Sequence, residues 1–157
     1  MSRHRFILIV LTIVFIDQSA KYFAQQALTV GQSLPIIPNI LHFTLVQNHG
    51  IAFGIFQEHG RLLLAVIGVC VFLFVVYMWT FPPKTNLHFA AYGLILGGAI
   101  GNLSDRLYAG HVVDFIDFRV WPVFNLADTF ISIGVGLLIL EMLIKPKGRT
   151  QQKEMQV

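Results

Sequence analysis

From Leu62 to Trp79 the chain runs through 18 consecutive residues without a charged side chain. As a helix, at about 1.5 Å per residue, that run reaches about 27 Å, close to the roughly 30 Å hydrocarbon core of a bilayer. A segment of this kind excludes a wholly water-soluble fold. Three further segments extend the argument. Phe6–Ile16 is apolar but reaches spanning length only if its helix continues through Asp17, Gln18 and Lys21 to Ala27. Leu87–Leu103 carries Gly93, Gly97, Gly98 and Gly101, small residues that let helices approach closely in lipid. Thr129–Ile144 is interrupted only by Glu141. The pattern predicts an all-α membrane protein with four transmembrane helices, at about 6–27, 62–80, 87–103 and 127–144, within one integral membrane domain covering 1–157. Arg3 and Arg5 ahead of an apolar run also suit a cleavable signal peptide. The later spans, and the lack of a small-x-small cleavage site after Ile16, argue against it.

Composition agrees. Of 157 residues, 55% are hydrophobic and 12% charged, against roughly 25% charged in an ordinary soluble domain. A disordered chain is excluded, and a lone cysteine, Cys70, excludes a disulfide framework. The net charge of +3 would permit nucleic-acid binding, but the cations flank apolar segments instead of forming a patch, so they read as topology and no nucleic-acid partner is expected. Arg3, Arg5, Lys84, Lys145, Lys147, Arg149 and Lys153 fall in the two tails and in the short Pro82–Asn86 connection. The positive-inside rule then puts both termini and that connection in the cytoplasm, with Tyr77 and Trp79 at the cytoplasmic interface. Leu28–Gly60 and Ser104–Asn125 lie outside. In the first, Leu41, Phe43 and Leu45 alternate with His42 and Thr44 at a strand period, and the turn-prone Asn48-His49-Gly50 follows. In the second, His111–Trp121 is rich in β-branched and aromatic residues, as a strand or an irregular extension. Together they predict a small extracytoplasmic cap containing β-structure.

Polar residues inside the spans are the functional candidates, because a charge near the bilayer centre costs about 2.5–3.5 kcal/mol. Asp17 and Lys21 are spaced i, i+4 and can pair on one helix face; a brace for the fold is favoured over direct chemistry. Asn102, Asp105 and Arg106 close the third span in the same manner, and Arg106 could also hold a substrate carbonyl or a lipid head group. Asp114 and Asp128 both fall at the outer end of the bundle, and the chain between them is long enough to fold back and bring the carboxyls together. Two close carboxylates share a proton, so one can act as base and the other as acid, as an aspartic protease requires. Each has a plainer reading. Asn125 can N-cap the fourth helix with Asp128 reaching back from the third helical position, and spacing alone favours this capping box. Asp114 and Asp117 can be solvated loop acids. His42, His49, His59 and His111 do not have metal-ligand spacing and there is no HExxH, so no metal or other cofactor is expected.

Five ordered blocks carry a resemblance: Asp17-Gln18-Ser19-Ala20-Lys21; Asn48 to Gly54; Gly97 to Arg106; Gly110-His111-Val112-Val113-Asp114-Phe115; and Phe124-Asn125-Leu126-Ala127-Asp128. Over nearly its whole length the chain resembles the bacterial lipoprotein signal peptidases, also called signal peptidase II. The resemblance implies a membrane aspartic endopeptidase that removes the signal peptide of prolipoproteins just before a cysteine carrying diacylglycerol. It implies that Asp114 and Asp128 are the catalytic pair and that Asn48, Asn102, Arg106 and Asn125 bind substrate or support the pair. Asp17, Lys21 and Asp105 would form a structural polar network. The partners would be the lipidated precursor and membrane lipids, with the enzyme a monomer in the bacterial inner membrane and its site near the outer face. A proton-coupled transporter would need polar residues near the midplane and symmetric halves. This chain has its acids on one side and no repeat. A scaffold without chemistry would leave Asp17 and Lys21 without a purpose.

Overall fold

The computed structural model describes residues 3–50 and 60–144. The second half of the Asn48–Gly54 block, His59 and the cations Lys145, Lys147, Arg149 and Lys153 lie outside the described residues. Four helices are long and apolar enough to cross a membrane among those described: α1 (Arg3–Ala27), α2 (Gly60–Thr80), α3 (Asn86–Tyr108) and α4 (Leu126–Ile144). They carry lipid-type surfaces. Leu8, Leu11, Phe15, Phe72, Met142 and Leu143 all stand exposed, an arrangement that water would penalise and hydrocarbon does not.

α3 is the central helix and packs against the other three. Its glycines make this possible. A Cβ at Gly97 would lie 2.7 Å from Ile13 of α1, and one at Gly98 would run into the Ala127 carbonyl oxygen of α4. Without a strong hydrophobic drive between helices in lipid, such backbone approach supplies the packing. α2 meets α3 through aromatic contacts, Phe74 and Tyr77 against Tyr92.

The strands β1 (Ser33–Ile37), β2 (Leu41–Asn48) and β3 (Val112–Asp117) form an antiparallel sheet in the order β1-β2-β3. It sits at the end of the bundle where α1 and α3 finish and α4 begins, joined to them by the small core of Leu28, Leu45 and Val113 with Ala24. β2 begins at the Leu41–Leu45 alternation, and β3 occupies part of the His111–Trp121 segment. α3 runs five residues past the expected span end at 103. Its last turns remain helical because their polar side chains find partners: Lys21 and Gln18 of α1 bond Asn102 and Asp105, and the Val113 N–H donates to Asp105.

Candidate active site

Two backbone devices bring distant residues together. After β3 the chain turns back through Arg119, which adopts φ 65°, a left-handed conformation costly for a side-chain-bearing residue. Asp117 supports the turn: its carboxylate accepts from the Arg119 N–H at 2.8 Å and from the guanidinium at 3.1 Å. Burial alone would raise the Asp117 pKa, but bonds from Thr44 and Arg119 hold it below the usual carboxylate value. Asp117 is therefore a turn acid. The returning Phe124 then bridges to β3, its carbonyl accepting from the N–H groups of Phe115 and Ile116 at 3.0 and 2.8 Å. That bridge delivers Asn125, the residue before α4, to the side of Asp114.

Asp114 is 2% exposed. Asn48 Nδ2 donates to its Oδ2 at 2.9 Å and Asn125 Nδ2 to its Oδ1 at 2.6 Å. Burial pushes the Asp114 pKa up to about 6, with the negative charge of Asp128 adding to the rise and the two asparagine bonds and Lys21 opposing it. Asp128 lies in the first turn of α4 and is half-buried. Its Oδ1 accepts from Asn102 Nδ2 at 2.8 Å and its Oδ2 from the Asn125 N–H at 3.3 Å, while Asn125 Oδ1 accepts from the Asp128 N–H at 3.0 Å. The reciprocal pair is the capping box that the spacing suggested. It leaves Asp128 tied to the same asparagine that holds Asp114, so the cap and the carboxylate pair are one structure.

Around this pair, Asn48 is oriented by the Gly50 N–H, which donates to its Oδ1 at 3.0 Å. Arg106 donates to the Gly50 carbonyl at 2.7 Å and is close enough to feel the charges of Asp114 and Asp128, without an ion pair to either. Behind the site lies a second cluster. Lys21 pairs with Asp17 and Asp105, both at 2.8 Å, and also donates to Asn102 Oδ1 at 2.9 Å. Asp17, fully buried, accepts from the Ala127 N–H at 2.8 Å and so satisfies a free donor at the start of α4. Sequence reasoning gave Gln18 no role. Its Nε2 donates to Asp105 at 2.8 Å and to the Gly101 carbonyl at 3.2 Å. An amide beside Asp17 and three residues before Lys21, on a helix of membrane-spanning length, was the available signal. His49 and His111 face one another with ring centroids 5.3 Å apart; among the described residues no group of three or more His, Cys, Asp or Glu could hold a metal.

Fold and site together define a multi-pass membrane protein with two carboxylates bonded to one asparagine at one end of its helix bundle. The profile of the Signal peptidase (SPase) II family matches residues 9–144. The chain is 44% identical to the lipoprotein signal peptidase of Halothermothrix orenii over 133 residues, 85% of this chain and 91% of that one. It is 41% identical to the lipoprotein signal peptidase of Moorella thermoacetica over 144 residues, 91% of this chain and 95% of that one. Among solved structures, a bacterial membrane enzyme determined by the in meso method at 2.3 Å matches with a TM-score of 0.85 at 30% identity, covering 94% of this chain and 93% of that chain. A second such enzyme, at 1.9 Å, gives a TM-score of 0.81 at 31% identity, covering 92% and 96%. The chain belongs to the signal peptidase II family, and is therefore a membrane peptidase.

Proposed function

We propose that the protein is an aspartic endopeptidase that cuts prolipoproteins just before a diacylglyceryl-modified cysteine, with Asp114 and Asp128 as its catalytic pair. The observation that carries this reading is the pairing itself: a buried acid with a pKa near 6, electrostatically coupled to a second acid in a different environment. Two close carboxyls share a proton, and Asp114, with its pKa raised to about 6, is the member that holds it below that pH. The ionised member takes a proton from water, whose oxygen attacks the scissile carbonyl, and the protonated member donates to the carbonyl oxygen. Collapse of the tetrahedral intermediate breaks the C–N bond, with a proton passing to the leaving amine. Asn48, Asn102 and Asn125 fix the carboxylates, and Arg106 and the Gly50 segment it holds are placed to contact substrate backbone.

The lipoprotein signal peptidases among the relatives support the substrate class. So does the physics of a lipidated peptide: each buried CH₂ is worth about 0.8 kcal/mol, so its protease must meet it at the membrane. The distribution of Lys and Arg supports an inner-membrane topology with both termini cytoplasmic and the pair near the outer face. The test is cleavage of a diacylglyceryl-modified precursor by Asp114→Asn and Asp128→Asn. Each is expected to lose at least about a thousandfold in kcat while its thermal unfolding shows a folded protein. Asn at 128 can still accept the Asn125 N–H, so parental turnover in that variant would reduce Asp128 to a helix cap.

A further inference from the structure

Lys21 makes one contact that its pairing with Asp17 does not require. Besides the two carboxylates, its Nζ reaches Asn102 Oδ1 at 2.9 Å. An ammonium has three protons and no lone pair, so the amide atom facing it must be the oxygen. That fixes the other half of the amide, and Asn102 Nδ2 donates to Asp128 Oδ1 at 2.8 Å. The same Asn102 oxygen accepts from Asn125 Nδ2 at 3.1 Å, the nitrogen that donates to Asp114. Turning the Asn102 amide over would set its NH₂ against two donors, Lys21 and Asn125, and its oxygen against the Asp128 carboxylate.

We propose that Lys21 is a positioning residue for peptide cleavage: it fixes the amide polarity of Asn102, and through Asn102 and Asn125 secures a hydrogen-bond donor on each member of the aspartate pair. This rests on the reading of Asp114 and Asp128 as that pair. The donated bond holds Asp128 Oδ1 in place, whereas an amide oxygen turned toward it would leave that oxygen facing another acceptor with no donor between them. The charges facing the cluster are Asp17 on α1, Asp105 and Arg106 on α3, Asp114 on β3 and Asp128 on α4; Lys21 also lowers the Asp114 pKa through space.

Removing Lys21 alone strands Asp17 and Asp105; the test uses Asp17→Asn with Lys21→Met, which leaves only Asp105, still bonded by Gln18 and the Val113 N–H, in the full-length protein with a lipidated precursor. Relative to Lys21→Met this double variant recovers thermal stability, yet its kcat stays at least about tenfold below the parent with KM within about twofold, and its kcat–pH profile moves to higher pH. Asn102→Ala lowers kcat in the same way, and adding it to the double variant costs nothing more. A stable double variant with parental kcat, or losses that multiply in the triple variant, would overturn the proposal. Should the double variant fail to fold, Asn102→Leu decides, since it can neither accept from Lys21 and Asn125 nor donate to Asp128. It is expected to lose kcat, and parental kcat would overturn the relay. Asp114→Asn and Asp128→Asn, assayed alongside, judge the aspartate pair separately: normal turnover there removes the pair, whereas the Lys21–Asn102 cycle judges the relay.

Discussion

Asp114 carries a cost to the folded protein that can be measured. Its pKa is raised from 3.8 to about 6, so between those values the native state holds a proton that the unfolded chain has released. Stability from this group is full below pH 3.8 and is lost as pH rises through 6, by at most roughly 3 kcal/mol. We expect thermal unfolding in detergent, followed across pH 4–7, to show that decline in the parent and not in Asp114→Asn. A flat profile in the parent would mean that burial does not disfavour the charge. By residue type and spacing Asp114 and Asp117 read alike, as loop acids, and in the sequence only the resemblance carried by the Gly110–Phe115 block sets Asp114 apart. What separates them is a turn: Arg119 occupies both oxygens of Asp117, and the Phe124 bridge places an asparagine on Asp114. No pattern of residue types announces a bridge of two residues between a strand and a loop.

At the scale of elements the helices were legible because a bilayer imposes length and apolarity on them, and the starts of α3 and α4 fall within one residue of the expected positions. Strand β2 was legible as an alternation. β1, which contains Pro35, Ile36 and Ile37, is exposed along its length and has no alternation to read. The end of α3 was missed because polar residues near a span boundary look like a loop until their partners on α1 are known. The glycines of α3 yield a direct prediction. A methyl group at Gly101 would sit 2.6 Å from the Asp17 carboxylate, whereas one at Gly68 of α2 meets nothing within 4 Å. Gly101→Ala is therefore expected to cost about 1–3 kcal/mol, read as a lowered Tm in detergent. Gly68→Ala serves as the control and should leave Tm no lower than the parent. Equal shifts in the two variants would show that the close approach at Gly101 contributes nothing.

For the molecule as a whole, the cap and the buried polar clusters lie at one end of the bundle, and the other end is tied by His88 of α3 to Glu141 of α4 at 2.6 Å. With no metal-holding group among the described residues, cleavage should survive EDTA at concentrations that strip zinc; inhibition reversed by added zinc would refute this. The same architecture bears on how the chain is made. Asp17 finds its bond to the Ala127 N–H across 110 residues, so α1 must enter the bilayer long before α4 has been synthesised. Until α3 brings Asn102 and Asp105, Asp17 and Lys21 have only each other as charged partners, at the i, i+4 spacing that a single helix provides. The ion pair thus serves as a travelling counter-charge, letting α1 cross into lipid before its permanent partners exist. An N-terminal fragment ending before α2 should integrate into membranes, as read by protease protection, and Lys21→Ala in that fragment should integrate less well.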